Sequence, residues 1–142
     1  MVKNLQINYS GKVDFNKRII HSVVGYLKNE LNFSIKEVKV NLISSKEITQ
    51  LNIKYLNHHK STDIITFNYS GNNHELDGEI FISIDDCRNN AANFGVKFNE
   101  ELVRLLIHGF LHLLGYNDKN NSEKKKMFEL QENLLNNCKF AL

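Results

Sequence analysis

Residues 101–115 read ELVRLLIHGFLHLLG, and how this stretch is buried decides both the fold and the chemistry. Leu102, Val103, Leu105, Leu106, Ile107, Phe110, Leu111, Leu113 and Leu114 cover nearly every azimuth of a helical wheel. They predict a helix over about 99–114 that is enclosed by protein all round. His108 and His112 must then find partners inside. At about 100° per residue, positions four apart lie roughly 40° apart around the axis and one turn along it, so both imidazoles aim at one point. Gly115 stands where a left-handed C-cap ends a helix and turns the chain, which brings Tyr116, Asn117 and Asp118 back towards the pair. Asp118 becomes a third donor. Three protein ligands leave zinc a fourth position for water, as in catalytic sites, where the pKa of water falls to about 7. Gly109 is a second anomaly, because glycine inside a helix costs about 1 kcal/mol relative to alanine and close packing or function must require it.

Outward from this helix, the chain alternates strand and helix patterns. Residues 2–9 alternate apolar and polar as a half-buried strand does, and Gly11 with Asp14 separates them from the next element, with Asp14 placed to cap it. From Phe15 to Leu31, the residues Phe15, Ile19, Ile20, Val23, Val24, Leu27 and Leu31 form one stripe of an amphipathic helix. Residues 36–44 predict a second strand, followed by Ser45 and a helix through about Leu56, where Ser45 followed by Ile48 supplies only half a capping signal. Residues 63–69 and 78–84 are rich in β-branched and aromatic side chains and flank GNNHELDG, so they predict two neighbouring strands, a hairpin with a longer loop. Asp85 opens a short helix ending near Gly95, and a last helix spans about 122–138. The fold class is α+β, a small mixed sheet of about four strands packed with about five helices.

The 142 residues contain no proline, and the chain carries no linker or repeat, which fits one domain over 1–142. A net charge of +2 permits an anionic partner without requiring one. Cys87 and Cys138 lie outside any CxxC spacing and fit reduced structural thiols. The N-terminal residues lack an apolar signal core and no apolar run reaches membrane-spanning length, so a cytoplasmic protein without a membrane is expected. The sequons at Asn8 and Asn68 then carry no meaning.

The spacing HxxxHxxGxxD resembles the zinc motif of the metzincin peptidases, whose general-base glutamate follows the first histidine. Gly109 stands there instead, forfeiting proton transfer typically worth about 10²–10⁴-fold.

The chain more closely resembles the YbeY family. His108, Gly109, Leu111, His112, Leu113, Gly115 and Tyr116 match the family motif HGxLHLxGYDH, with Asn117 and Asp118 where the family has Asp and His. Leu51, Asn52, Tyr55, Thr62, Asp63, Ile64, Ile65, Thr66 and Phe67 match LNxxYR…PTDVLSF, and Gly78-Glu79-Ile80-Phe81-Ile82-Ser83 is a third match. The resemblance implies a single-strand-specific, zinc-dependent endoribonuclease of ribosomal RNA maturation and ribosome quality control, with single-stranded RNA, ribosomal RNA and the small ribosomal subunit as partners. It places one zinc on His108, His112 and Asp118. An aspartate in place of the family's third histidine makes the site harder and admits manganese beside zinc. The family's arginine after the tyrosine falls on Leu56, which cannot contact phosphate.

Lys54, Lys60, Arg88 and Arg104 are candidate replacements for that arginine, with Lys60 and Arg88 as candidate substrate-binding residues and Thr62, Asp63 and Arg104 as candidate catalytic ones. Thr62 and Asp63 open a strand and could reach the cleft, or make a turn or cap hydrogen bond. His58 and His59, being adjacent, point to different sides and do not chelate together; His21 and His74 are incidental, and Lys124-Lys125-Lys126 is a solvated face. Two other readings stand beside the nuclease: a metallopeptidase drawing its base from Glu79 or Glu101, and a non-catalytic ribosome assembly factor whose metal braces the C-terminal turn.

Overall fold

Alternation in the strands and three-and-four spacing in most helices leave one apolar face on each, while the helix carrying His108 is apolar nearly all round, and a mixed sheet lined by helices is what buries them. The computed structural model describes residues 1–11, 15–57 and 62–142. Asp14, His58, His59 and Lys60 fall outside the described residues. The strands are β1 (Leu5–Tyr9), β2 (Ser34–Ile43), β3 (Ile64–Asn68) and β4 (Glu75–Ser83). The helices are α1 (Lys17–Leu31), α2 (Ser45–Leu56), α3 (Ile84–Phe94), α4 (Phe98–Leu113) and α5 (Asn121–Asn137), with a 3₁₀ turn at Lys139–Ala141. The α+β expectation holds, with a four-stranded sheet in the order β1-β2-β4-β3. β1, β2 and β4 run parallel, and β3 pairs antiparallel with β4 in the expected hairpin.

Element starts follow local hydrogen bonding more than apolar content. Asn16 caps α1 by accepting from the Arg18 N–H, so the helix begins after Phe15. Ser44, not Ser45, caps α2: its hydroxyl accepts from the Glu47 N–H while the Glu47 carboxylate accepts from the Ser44 N–H. This complete capping box corrects the half signal read at Ser45, because the reciprocal partner lies three residues after Ser44. The Ser10 hydroxyl also donates to Glu47 at 2.7 Å, and that bond is the main cause holding the carboxyl below its ordinary range. Ser83 caps α3, and Gly95, at φ 67°, ends it.

The main core joins Ile20, Val23, Val24 and Leu27 of α1, Val38, Val40 and Leu42 of β2, Ile80 and Ile82 of β4, and Leu106, Ile107, Phe110 and Leu111 of α4. A smaller cluster on the other face joins Ile48 of α2 with Ile43 and Ile65. Two glycines let α4 lie close on the sheet. A Cβ on Gly109 would come within 3.1 Å of side-chain atoms of both Ile64 and Ile80. A Cβ on Gly78 would collide with the Phe67 carbonyl oxygen and come within 2.9 Å of Leu113 Cδ2. Close packing is therefore what Gly109 supplies. No helix among the described residues is long and apolar enough to cross a membrane.

Candidate metal centre

α4 ends in a backbone motif that its sequence dictates. The Gly115 N–H donates to the His112 carbonyl at 3.0 Å and the Tyr116 N–H to the Leu111 carbonyl at 3.0 Å, the paired bonds of a Schellman cap. Gly115 adopts φ 98°, a conformation costly for any residue with a Cβ. Asn68 on β3 donates to the Leu113 carbonyl at 3.3 Å, so the hairpin satisfies another carbonyl at the helix end. The chain leaves this cap pointing back along α4, and Asp118 returns to the two histidines.

His108 Nε2 and His112 Nε2 face each other at 3.0 Å, and His112 Nε2 stands 4.0 Å from Asp118 Oδ2. One donor atom from each of the three residues lies within 4.8 Å of the others. The outer nitrogens decide the tautomers. His112 Nδ1 contacts the Tyr116 carbonyl at 3.1 Å and His108 Nδ1 contacts Gln131 Oε1 at 2.7 Å. The Gln131 amide is oriented by its other end, which donates to Glu132 Oε2 at 3.1 Å. Both outer partners are thus acceptors, so each Nδ1 carries the proton and each Nε2 presents a lone pair to the other. Two lone pairs at that separation repel unless a cation lies between them, and the carboxylate beside them favours the same charge. The donor set therefore fits a divalent metal, with backbone and side-chain partners orienting the rings as metal-bound histidines require. Burial, aided by His108, lowers the His112 pKa, which keeps its ring neutral and ready to bind.

Gln131 is a residue of the candidate centre that sequence reading missed. It is a buried amide on the stripe of α5 that otherwise holds Met127, Leu134 and Leu135, and a polar residue at that position was the available signal. Behind it runs a polar chain. Arg104 grips Glu132 through Nε at 3.0 Å and Glu101 through Nη1 at 2.7 Å. Glu101, 2% exposed, also accepts from Asn90 at 3.4 Å, and Asn90 donates to Asp63 Oδ2 at 3.2 Å. Burial raises the Glu101 pKa despite Arg104.

Asp63 and Thr62 line a cavity of about 410 Å³ together with His108, His112 and Asp118. Asn52, Leu56, Ile64, Ile65 and Thr66 complete its polar and apolar walls. The structure thus brings Thr62, Asp63 and the three candidate ligands to one place. Arg104 is held by two carboxylates, and Arg88 stacks over the Phe98 ring at 5.7 Å; neither lines this cavity. Lys54 sits over Tyr55. Glu79 lies on the opposite sheet face, accepting from Asn41 and Tyr69.

A family model described as Endoribonuclease YbeY matches residues 2–139. The chain belongs to the YbeY family. An Endoribonuclease YbeY of Flavobacterium psychrophilum is 35% identical, the match covering 89% of this chain and 99% of that one. The Endoribonuclease YbeY of Chlorobium phaeobacteroides is 36% identical, covering 91% and 90%. The solution structure of TM1509 from Thermotoga maritima superposes with a TM-score of 0.67 at 28% identity, over 94% of this chain and 88% of that one. Leu56, where the sequence resemblance leads one to expect an arginine, contributes to the cavity beside the candidate ligands.

Proposed function

We propose that this chain, acting as a single unit over 1–142, is a metal-dependent endoribonuclease that cuts single-stranded RNA in the cytoplasm, with ribosomal RNA and the small ribosomal subunit as its setting. The observation that carries the reading is the pair of opposed Nε2 lone pairs at 3.0 Å beside the Asp118 carboxylate, at the edge of an open cavity in a chain of the YbeY family. Two buried free cysteines are in keeping with a reducing compartment.

His108 and His112 would hold one zinc through nitrogen, and Asp118, an oxygen donor, would widen the choice to manganese. When bound, such an ion polarises a phosphodiester oxygen and acidifies water. Tyr116 and Gln131 fix the rings so that the ligands need not reorganise. Asp63 has one carboxylate oxygen held by Asn90 and belongs to the wall facing the candidate ligands, which supports a role for it in proton transfer. Thr62 donates to the Ile64 carbonyl at 3.3 Å and keeps that wall in shape.

The peptidase reading is not favoured: a side chain at position 109 would be aimed at Ile64 and Ile80 rather than free to act as a base, and Glu79 lies on the other sheet face. The assembly-factor reading is not favoured either, since the chain's relatives carry the name of an endoribonuclease. The test measures metal content and cleavage of single-stranded RNA for wild type and His112→Ala, with circular dichroism to establish folding. Folded His112→Ala that loses both metal and cleavage is expected; retention of cleavage without metal overturns the reading. A 2′,3′-cyclic phosphate at the product ends would assign attack to the RNA 2′-hydroxyl rather than to water.

A further inference from the structure

Two cavities meet at the candidate ligands. The first lies against β3 and, among the described residues, has no lysine or arginine in its lining. The second, about 390 Å³, lies against α5 and is lined by His108, Asp118, Lys124, Lys125, Met127 and Phe128 among others. Its size suits a small aromatic ligand. Met127 is buried, whereas Phe128 is 57% exposed, a large aromatic ring left open to solvent beside a polar centre. Lys124 precedes Phe128 by one helical turn and Lys125 by three residues, so both ammonium groups share its flank of α5.

An exposed ring, an adjacent pair of cations and a metal-competent centre in one concavity match the parts of a nucleotide: base, flanking phosphate and scissile phosphodiester. Aromatic side chains serve single strands as stacking platforms, and lysines meet the backbone charge that Leu56 cannot. Resting on the endoribonuclease reading above, we infer that this second cavity is a base-binding subsite, in which an unpaired base next to the cleaved bond stacks on Phe128 while Lys124 and Lys125 hold the adjoining phosphate. The subsite supplies a physical basis for selecting single strands, because a base inside a duplex must be unpaired and unstacked before it can enter.

The chain contains no tryptophan, so Phe128→Trp creates a fluorophore that reports this position alone. Its emission should be quenched saturably by a single-stranded RNA oligonucleotide and not by the same sequence as a duplex. Phe128→Ala should bind the single strand about five- to a hundredfold more weakly, while Phe128→Trp keeps wild-type affinity. On an oligonucleotide with an abasic site next to the cleaved bond, wild type and Phe128→Ala should bind alike. Replacing Lys124 and Lys125 together by glutamine should reduce the slope of log affinity against log salt by roughly 1.4. Wild type that binds and cleaves single-stranded RNA while Phe128→Ala does so equally well, or equal quenching by duplex, overturns the subsite alone. Wild type that neither binds nor cleaves RNA overturns the endoribonuclease reading and the subsite with it.

Discussion

α1 and α4 share one core, and each carries histidine and glycine in its middle, yet the residues have different fates. In α1, His21 Nδ1 accepts from the Val2 N–H at 3.2 Å, and a Cβ on Gly25, four residues on, would meet only Val2 Cγ2 at 3.7 Å. In α4, the outer nitrogens of His108 and His112 are held by carbonyl oxygens and the inner ones are turned on each other, while Gly109 is pressed against Ile64 and Ile80. Burial lowers the pKa of both His21 and His112, so titration does not tell the two helices apart. What separates them is where the second nitrogen goes. A histidine is a ligand candidate when one nitrogen is fixed by an acceptor and the other meets a second donor atom of the same kind.

The contrast can be broken or sharpened by substitution. Gly109→Glu should lower stability by about 4 kcal/mol or more in urea unfolding, since it forces a carboxylate between two isoleucines; a folded, stable variant would remove the close-packing account of α4. His112→Ala should weaken zinc binding by about 3 kcal/mol or more, measured by titration against a chelator, whereas His21→Ala should leave zinc stoichiometry unchanged. Gln131→Leu should weaken zinc binding about 10–100-fold, because the His108 ring loses the acceptor that fixes its tautomer. Gly25→Ala should stabilise by about 0.5–1 kcal/mol, the helix gain that glycine forgoes where space is open. The smallest effect belongs to His21. Its folded pKa lies below the unfolded value of about 6.5, so the unfolded chain binds more protons and stability falls as pH drops below that value. His21→Gln should make acid unfolding slightly less steep in that window.

Short-range signals in the sequence served well, and their failures are local. The HxxxH pair, the glycine at the α4 terminus and the returning aspartate were legible because they depend on helical geometry within eleven residues, His108 to Asp118. The cap of α2 falls one residue before the expected one because adjacent serines compete for it, and only the position of Glu47 decides between them. β4 begins at Glu75, three residues before the expected start, because it is extended by parallel pairing with β2, a partner some forty residues away, for which no local pattern exists. The link from Gln131 to His108 spans 23 residues and two helices, and was illegible for the same reason, although an amide on an apolar stripe was a visible oddity. Arg104 looked available for phosphate because its two carboxylate partners, Glu101 and Glu132, could not be paired with it from sequence.

The loop joining β3 and β4 has one further importance. Its asparagines, glycine and serine stand exposed at the end of a hairpin, where an engineer would choose to place a tag, a label or an added peptide. Yet Asn73 packs its side chain against Gly115, and Asn68, the last residue of β3, holds the Leu113 carbonyl, so the loop and the strand end before it serve as a backstop for the bend that leads to Asp118. An insertion there would leave the core intact and still unsettle the third candidate donor, giving a well-folded protein whose metal affinity is expected to fall.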